Sequence, residues 1–166
     1  MTSFKSVLVI GGTGQTGQLF INSLVTNPDI NNFYVFIRQQ TKKYFGGYDK
    51  VSIFVNLKEA LKNLPEVIIL STPNPTEEIL QSIATYVKNS PVIILPQNGV
   101  DVVPTALRVF KNTKIQPQNL IRASLFTTIS LGKEGQALYN HQKLRIALAP
   151  VDSGLFCGAA LRFCMP

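Results

Sequence analysis

The sequence is sparing with the residues that build covalent or metal frameworks. Of its 166 residues, two are cysteine and one is histidine. Cys157 and Cys164 both fall near the C-terminal end, which gives neither a disulfide framework nor zinc-site spacing. Both read as free thiols, and no metal site is expected. No apolar run approaches the ~20 residues that a membrane-spanning helix needs, so no membrane partner is expected. Met1–Lys5 passes straight into an apolar run without the layout of a signal peptide, which makes the cytoplasm the expected compartment. Charge is also thin, at 15% of residues, while hydrophobic residues reach 45%. That balance excludes a disordered chain, and the length suits one domain with a real core.

Acidic residues number only 9 against 16 basic ones, a net charge of +7. The basic residues are scattered: Lys42 and Lys43, Lys58 and Lys62, Lys111 and Lys114, Lys143 and Arg145. Nucleic-acid binders concentrate charge in a stripe interleaved with aromatics, and nothing here does so. A nucleic-acid partner, suggested by net charge alone, ranks last. A diffuse positive field fits an anionic small ligand instead.

Short apolar runs alternate with helical patterns along most of the chain. Val7–Ile10, Phe33–Ile37, Val51–Val55, Glu66–Leu70 and Val92–Leu95 read as strands, several of them apolar enough to be buried on both faces. Gln15–Asn27 carries Leu19, Phe20, Leu24 and Val25 on helical spacing, and Asn27-Pro28 ends it. Leu57–Leu64 reads as a short helix, and Arg38–Lys50 as a polar loop. In "STPNPTEE", Asn74 suits an N-cap, Pro75 the first helical position, and Glu77 a capping box. Ile79, Ile83 and Val87 then give that helix a buried stripe. A further helix runs through Phe110. After it, Leu120–Leu131 and Gln136–Leu148 flank "GKEG" and alternate, as an antiparallel hairpin does. Strands alternating with helices imply right-handed βαβ units. The expected fold is α/β: a Rossmann-type doubly wound parallel sheet over residues 1–150, with a C-terminal antiparallel hairpin on one edge. Residues 151–166 form a tail.

The run "VLVIGGTGQTGQLF" carries the chemistry. Gly12-x-Gly14-x-x-Gly17 fits the dinucleotide fingerprint. The first glycine permits the tight strand-to-helix turn, the second lets backbone approach the pyrophosphate, and the third lets helix pack on strand. The helix N-terminus offers open N–H groups and a positive dipole end to the phosphates. Thr13, Gln15 and Thr16 add side-chain donors. Three glycines alone are a weak signal, but a strand before, a helix after and a second strand closing the unit supply the context. NAD sites place an acidic residue ~20 residues beyond the glycines to accept from the ribose hydroxyls. Arg38 holds that place. An arginine cannot accept those bonds but can grip a 2′-phosphate, and Lys42 and Lys43 lie close in sequence. The expected cofactor is therefore NADP(H).

This order of motifs resembles the N-terminal domain of the ketopantoate reductases (2-dehydropantoate 2-reductases) over about residues 5 to 150. "VLVIGGTGQTG" is similar to the family's phosphate loop, and "YVFIR" to the strand ending in its NADP-selecting arginine. "EVIILSTPNPTEEIL" and "VIILPQNGVD" resemble its fourth strand and the strand leading into a Gln-Asn-Gly segment. "SLFTTISLGKEGQALYNHQKLRIALAP" is similar to its closing hairpin, with His141 in the second strand. The resemblance implies that Asn98 lies near the nicotinamide and the substrate, where its amide can hold a ribose hydroxyl or a substrate oxygen. It implies a cofactor contact at Thr72, where the family usually carries lysine. It also implies hydride transfer to a small 2-keto acid.

The family's catalytic lysine and a cofactor-contacting glutamate belong to a helical C-terminal domain, and "VDSGLFCGAALRFCMP" does not resemble its start. Lys133 and Lys143 on the hairpin are no substitutes, so the catalytic residue is unassigned. "GGTGQTG" also resembles the loops of atypical short-chain dehydrogenases and their NmrA-like regulatory relatives. The catalytic members need Tyr-x-x-x-Lys on a helix, whereas Tyr139 and Lys143 fall in a strand pattern, where they would stand ~13 Å apart. The alternative to a reductase is thus a non-catalytic NADP-binding or redox-sensing module. An apolar tail (Leu155, Phe156, Ala159, Ala160, Leu161, Phe163) would then dock on a partner or on a second copy of the chain, the latter giving a homo-oligomer.

Overall fold

A computed structural model of the chain describes residues 4–38, 49–73, 77–97, 101–133 and 135–151. Its spine is two short apolar strands, β1 (Ser6–Ile10) and β4 (Val67–Leu70), in which every residue is buried. Such strands have no face to give to water, so they must lie in the middle of a covered sheet. They do. The sheet also holds β2 (Asn32–Phe36), β3 (Val51–Phe54), β5 (Val92–Leu95), β6 (Leu120–Leu125) and β9 (Ile146–Pro150), in the order β3-β2-β1-β4-β5-β6-β9. Leu8 stands opposite Tyr34 on one side and Ile68 on the other. All pairings are parallel except β6 with β9, where Ala123 faces Leu148. This is the Rossmann-type arrangement, and the strand order reverses between β1 and β4.

Alternation along β1 assigns its side chains to two cores. Leu8 and Ile10 join one with Leu61, Leu80, Ile83, Ala106 and Phe110. These come from α2 (Leu57–Lys62), α3 (Glu77–Tyr86) and α4 (Val102–Phe110). Val7 and Val9 join the other, with Phe20 and Ile21 of α1 (Gln15–Leu24). On α4, Val102, Ala106 and Phe110 recur every four residues and are all buried. Local chemistry fixes the helix ends. The Asn56 side chain accepts from the Lys58 and Glu59 N–H groups at the start of α2. Glu77 and Glu78 occupy the first turn of α3, where negative charge meets the positive dipole end.

Several sequence expectations need correction. The first helix stops at Leu24, short of Asn27, whose N–H turns back to the Leu24 carbonyl. The second stops at Lys62, because Leu64 takes a left-handed φ of 50° just before Pro65. On α3 the buried pair is Leu80 and Ile83, with Ile79 only partly buried. The long terminal hairpin is broken into two ladders. β6 and β9 extend the main sheet, while β7 (Ser130–Leu131) and β8 (Ala137–Leu138) form a separate two-stranded sheet around the glycine turn. His141–Lys143 is a single 3-10 turn between β8 and β9, so neither His141 nor the Tyr139–Lys143 spacing lies on a strand. Residues 74–76, with the Asn74-Pro75 cap, and the tail after residue 151, with Cys157 and Cys164, lie outside the described residues. No described helix is long and apolar enough to cross a membrane. No group of three His, Cys, Asp or Glu among the described residues could hold a metal.

Candidate cofactor site

The parallel strands deliver their following loops to one sheet edge, and the glycine loop sits at the strand-order reversal. Gly11 makes the turn. Its φ is +89°, and a Cβ there would stand 3.0 Å from both the Ser71 carbonyl oxygen and the Thr72 methyl. The sequence reading gave this role to Gly12, the first glycine of the spaced motif. Gly12 has no positive φ. It is buried instead, and its N–H shares the Phe36 carbonyl with that of Gly11, at 3.3 and 3.1 Å. The doubled glycine was the available signal: when two are adjacent, spacing alone does not say which one bends.

Gly17 has the role the spacing assigns. A Cβ there would come within 2.9 Å of the Gly11 carbonyl carbon and the Gly12 Cα, and closer still to the Gly11 carbonyl oxygen. Only hydrogen lets α1 pack so tightly on the loop. At Gly14 an added Cβ would be 3.4 Å from the Gly11 carbonyl oxygen, an ordinary contact, and the residue is exposed. Gly14 is also the N-cap of α1, and no side chain caps the helix. The first intrahelical bond runs from the Gln18 N–H to the Gly14 carbonyl at 2.9 Å. The N–H groups of the first turn, at Gln15 and Thr16, therefore have no partner within the helix. No acidic residue stands in that turn to repel an anion. Thr13 and Gln15 are exposed, and Thr16 is half-buried.

The neighbouring loops complete the edge. Ser71 closes the β1–β4 gap: its N–H and hydroxyl both donate to the Ile10 carbonyl, at 2.9 and 2.7 Å. Thr72 is 7% exposed, and its hydroxyl has no hydrogen-bond partner. Gln97, just past β5, donates its amide hydrogens to the Leu70 and Thr72 carbonyls at 2.7 and 3.1 Å. Its own buried carbonyl oxygen has no partner. Two polar atoms, on residues joined by the Gln97–Thr72 hydrogen bond, are thus buried and unanswered at the same edge. Each such atom costs about 1–3 kcal/mol unless something meets it. Arg38 is exposed two residues beyond Phe36, whose carbonyl holds the glycine loop. Asn98, Lys42 and Lys43 lie outside the described residues.

Sequence reasoning passed over Gln18. It is 5% exposed, and its side chain makes three hydrogen bonds, to Thr13, Gly135 and Ala137. Its place inside an apolar helical stripe is the signal that was available. By contrast, a cleft of about 610 Å³, between the ends of α3 and α4 and lined by Lys88, Asn89 and Lys114, opens at the opposite edge of the sheet. The motif residues take no part in it.

The residues present fit a dinucleotide: two glycines whose places a Cβ would fill, an uncapped helix start, and unanswered polar atoms beside it. No family model matches the sequence, and no match is found among curated proteins. Solved structures do match. 2-Dehydropantoate 2-reductase from Geobacter metallireducens GS-15 is 14% identical, with a TM-score of 0.66 over 87% of this chain and 49% of its own. A ketopantoate reductase assigned from Ralstonia solanacearum MolK2 is 15% identical, with a TM-score of 0.62 over 89% of this chain and 53% of its own. Plasmodium falciparum pyrroline carboxylate reductase, solved with NADP bound, is 13% identical, with a TM-score of 0.55 over 85% and 50%. The chain thus spans about half the length of these structures, and at such identities what it shares with them is the Rossmann-type fold.

Proposed function

We propose that the chain is the cofactor-binding half of an NADPH-dependent reductase of the ketopantoate reductase type, acting on a small 2-keto acid. The observation that carries this reading is the packing of Gly17 on Gly11, which sets an uncapped helix start against a glycine turn at the strand-order reversal. A glycine loop with no ligand to admit needs neither the uncapped helix nor the close approach. Thr13, Gln15 and Thr16 would hold the pyrophosphate through backbone N–H groups and side-chain donors. Arg38 would hold the 2′-phosphate in a bidentate pair. Thr72 would meet the cofactor through its hydroxyl, and Asn98, next to Gln97, would bind both cofactor and substrate through its amide. Bound there, NADPH supplies the hydride for the keto carbon.

One observation favours a second reading, a non-catalytic NADP-binding or redox-sensing module. Where the resembled family carries a lysine, this chain has Thr72, buried and uncharged. No proton donor is assigned, and general acid help commonly contributes ~100-fold or more to such a step. Titration of the 166-residue chain with NADPH and NADH, followed by an assay of NADPH oxidation with ketopantoate, separates the two readings. The reductase reading expects preferential NADPH binding and measurable turnover. NADPH binding with no turnover leaves the binding module. Absence of binding for either nucleotide at millimolar levels overturns both.

A further inference from the structure

Resting on the glycine loop as the dinucleotide site, we infer that Gln18 is a positioning residue. It fastens the β7–β8 hairpin to that loop and makes the hairpin a wall of the phosphate cradle.

Gln18 is the fourth residue of α1 and is 5% exposed. Its amide nitrogen donates to the Thr13 carbonyl at 3.0 Å and to the Gly135 carbonyl at 2.9 Å. Its amide oxygen accepts from the Ala137 N–H at 2.6 Å. The three partners fix the amide orientation, because a flipped group would set oxygen against two carbonyls. Burying a glutamine is costly unless it is satisfied, and an apolar residue would pack α1 more simply. The distinctive result of this choice is a bridge between two segments far apart in sequence.

The bridge acts on one peptide unit. The Thr13 carbonyl and the Gly14 N–H belong to the same plane and point in opposite directions. The carbonyl is held by Gln18, and the N–H donates to the Gly11 carbonyl at 3.1 Å. With glycine on both sides of Thr13, this unit would otherwise turn readily. Locked from both ends, it sets the entry to α1 before a phosphate arrives, which lowers the ordering cost of binding. The same amide grips Gly135, in a turn closed by the Gly135 N–H to the Gly132 carbonyl at 2.9 Å. Filling the cradle therefore steadies the hairpin as well.

Hydrogen exchange with and without NADPH tests this on the unaltered chain. NADPH should slow exchange in residues 11–18 and in 130–138 together. Protection of the loop with an unchanged hairpin overturns the inference while leaving the cofactor reading intact. Protection nowhere sinks the cofactor reading itself, and the inference with it. Gln18→Met removes all three bonds at similar length. It should weaken NADPH about tenfold and abolish hairpin protection at saturating NADPH, while loop protection stays. Gln18→Glu keeps an acceptor for Ala137 but loses both donations, so it should weaken NADPH as well. Wild-type affinity in both variants refutes the positioning role.

Discussion

The carbonyl of Gly11 occupies the space that a side chain on Gly17 would need. The loop and the helix are in backbone contact there, and one hydrogen atom decides whether they can be. Gly17→Ala must push α1 off β1, and α1 is the helix whose Phe20 and Ile21 cover that face of the sheet. The expected outcome is a loss of about 1–3 kcal/mol in chemical denaturation, of the order seen for overpacked cores. Gly14→Ala meets only ordinary contacts and should stay within about 1 kcal/mol of wild type. Its methyl group lies on the exposed side of the loop, so it should weaken NADPH while barely moving the denaturation midpoint. Equal stability losses in the two variants would contradict the difference between these glycines.

Arg38 follows the strand whose Phe36 carbonyl anchors the glycine loop. If it grips the 2′-phosphate, Arg38→Ala removes a charge-assisted bidentate pair and should weaken NADPH about 10- to 100-fold. NADH, which lacks that phosphate, should bind the variant as it binds wild type. The two affinities are measured side by side at fixed salt, because screening weakens both. Parallel losses for NADPH and NADH would place Arg38 outside the site.

Glu77 at the start of α3 and Arg108 on α4 form a two-pronged ion pair, each prong 3.0 Å. The hydrogen bond from Arg108 holds the Glu77 carboxyl below its ordinary value of 4.5. A depressed carboxyl contributes stability that is present in full above that value and fades as pH falls through the folded-state one. The pair is exposed, 63% for Arg108 and 38% for Glu77, so water and salt screen it. Arg108→Met should lower Tm by about 1–3 °C at neutral pH. That difference should shrink on adding salt and vanish in acid once the Glu77 carboxyl is protonated in the folded protein. A difference that persists in acid would assign it to lost packing of the arginine stem.

The sheet was legible because its strands are short apolar runs, and burial on both faces leaves such runs one place to go. β5 matched its expected span, and β1, β2 and β4 fell within a residue of theirs. The hairpin was less legible. Alternation in Gln136–Leu148 carries no mark of where a strand leaves its ladder, which is set by the pairing of β9 with β6. Gln18 was hidden for the same reason: its partners Gly135 and Ala137 lie more than a hundred residues away. Gly12, Gly14 and Gly17 could be found by spacing. That Gly11 bends, and that Thr72 is buried beside it, are facts of packing between β1 and β4.

Thr72 links stability and binding with opposite signs. Its hydroxyl is buried and has no partner, and its methyl lies where a Cβ on Gly11 would press. Thr72→Val replaces the hydroxyl with a methyl of similar shape and relieves an unmet polar group. The unliganded protein should gain about 1 kcal/mol, which at this size is a rise in Tm of about 2–4 °C. If the hydroxyl meets the cofactor when the site fills, the same change should weaken NADPH about five- to tenfold. Thermal shift with and without NADPH reads both effects: the valine variant starts higher and gains less on addition. A variant that is more stable and binds NADPH as tightly as wild type would make the threonine an unpaid cost of the fold rather than a contact. A variant that is less stable would mean the hydroxyl already has a partner in the free protein.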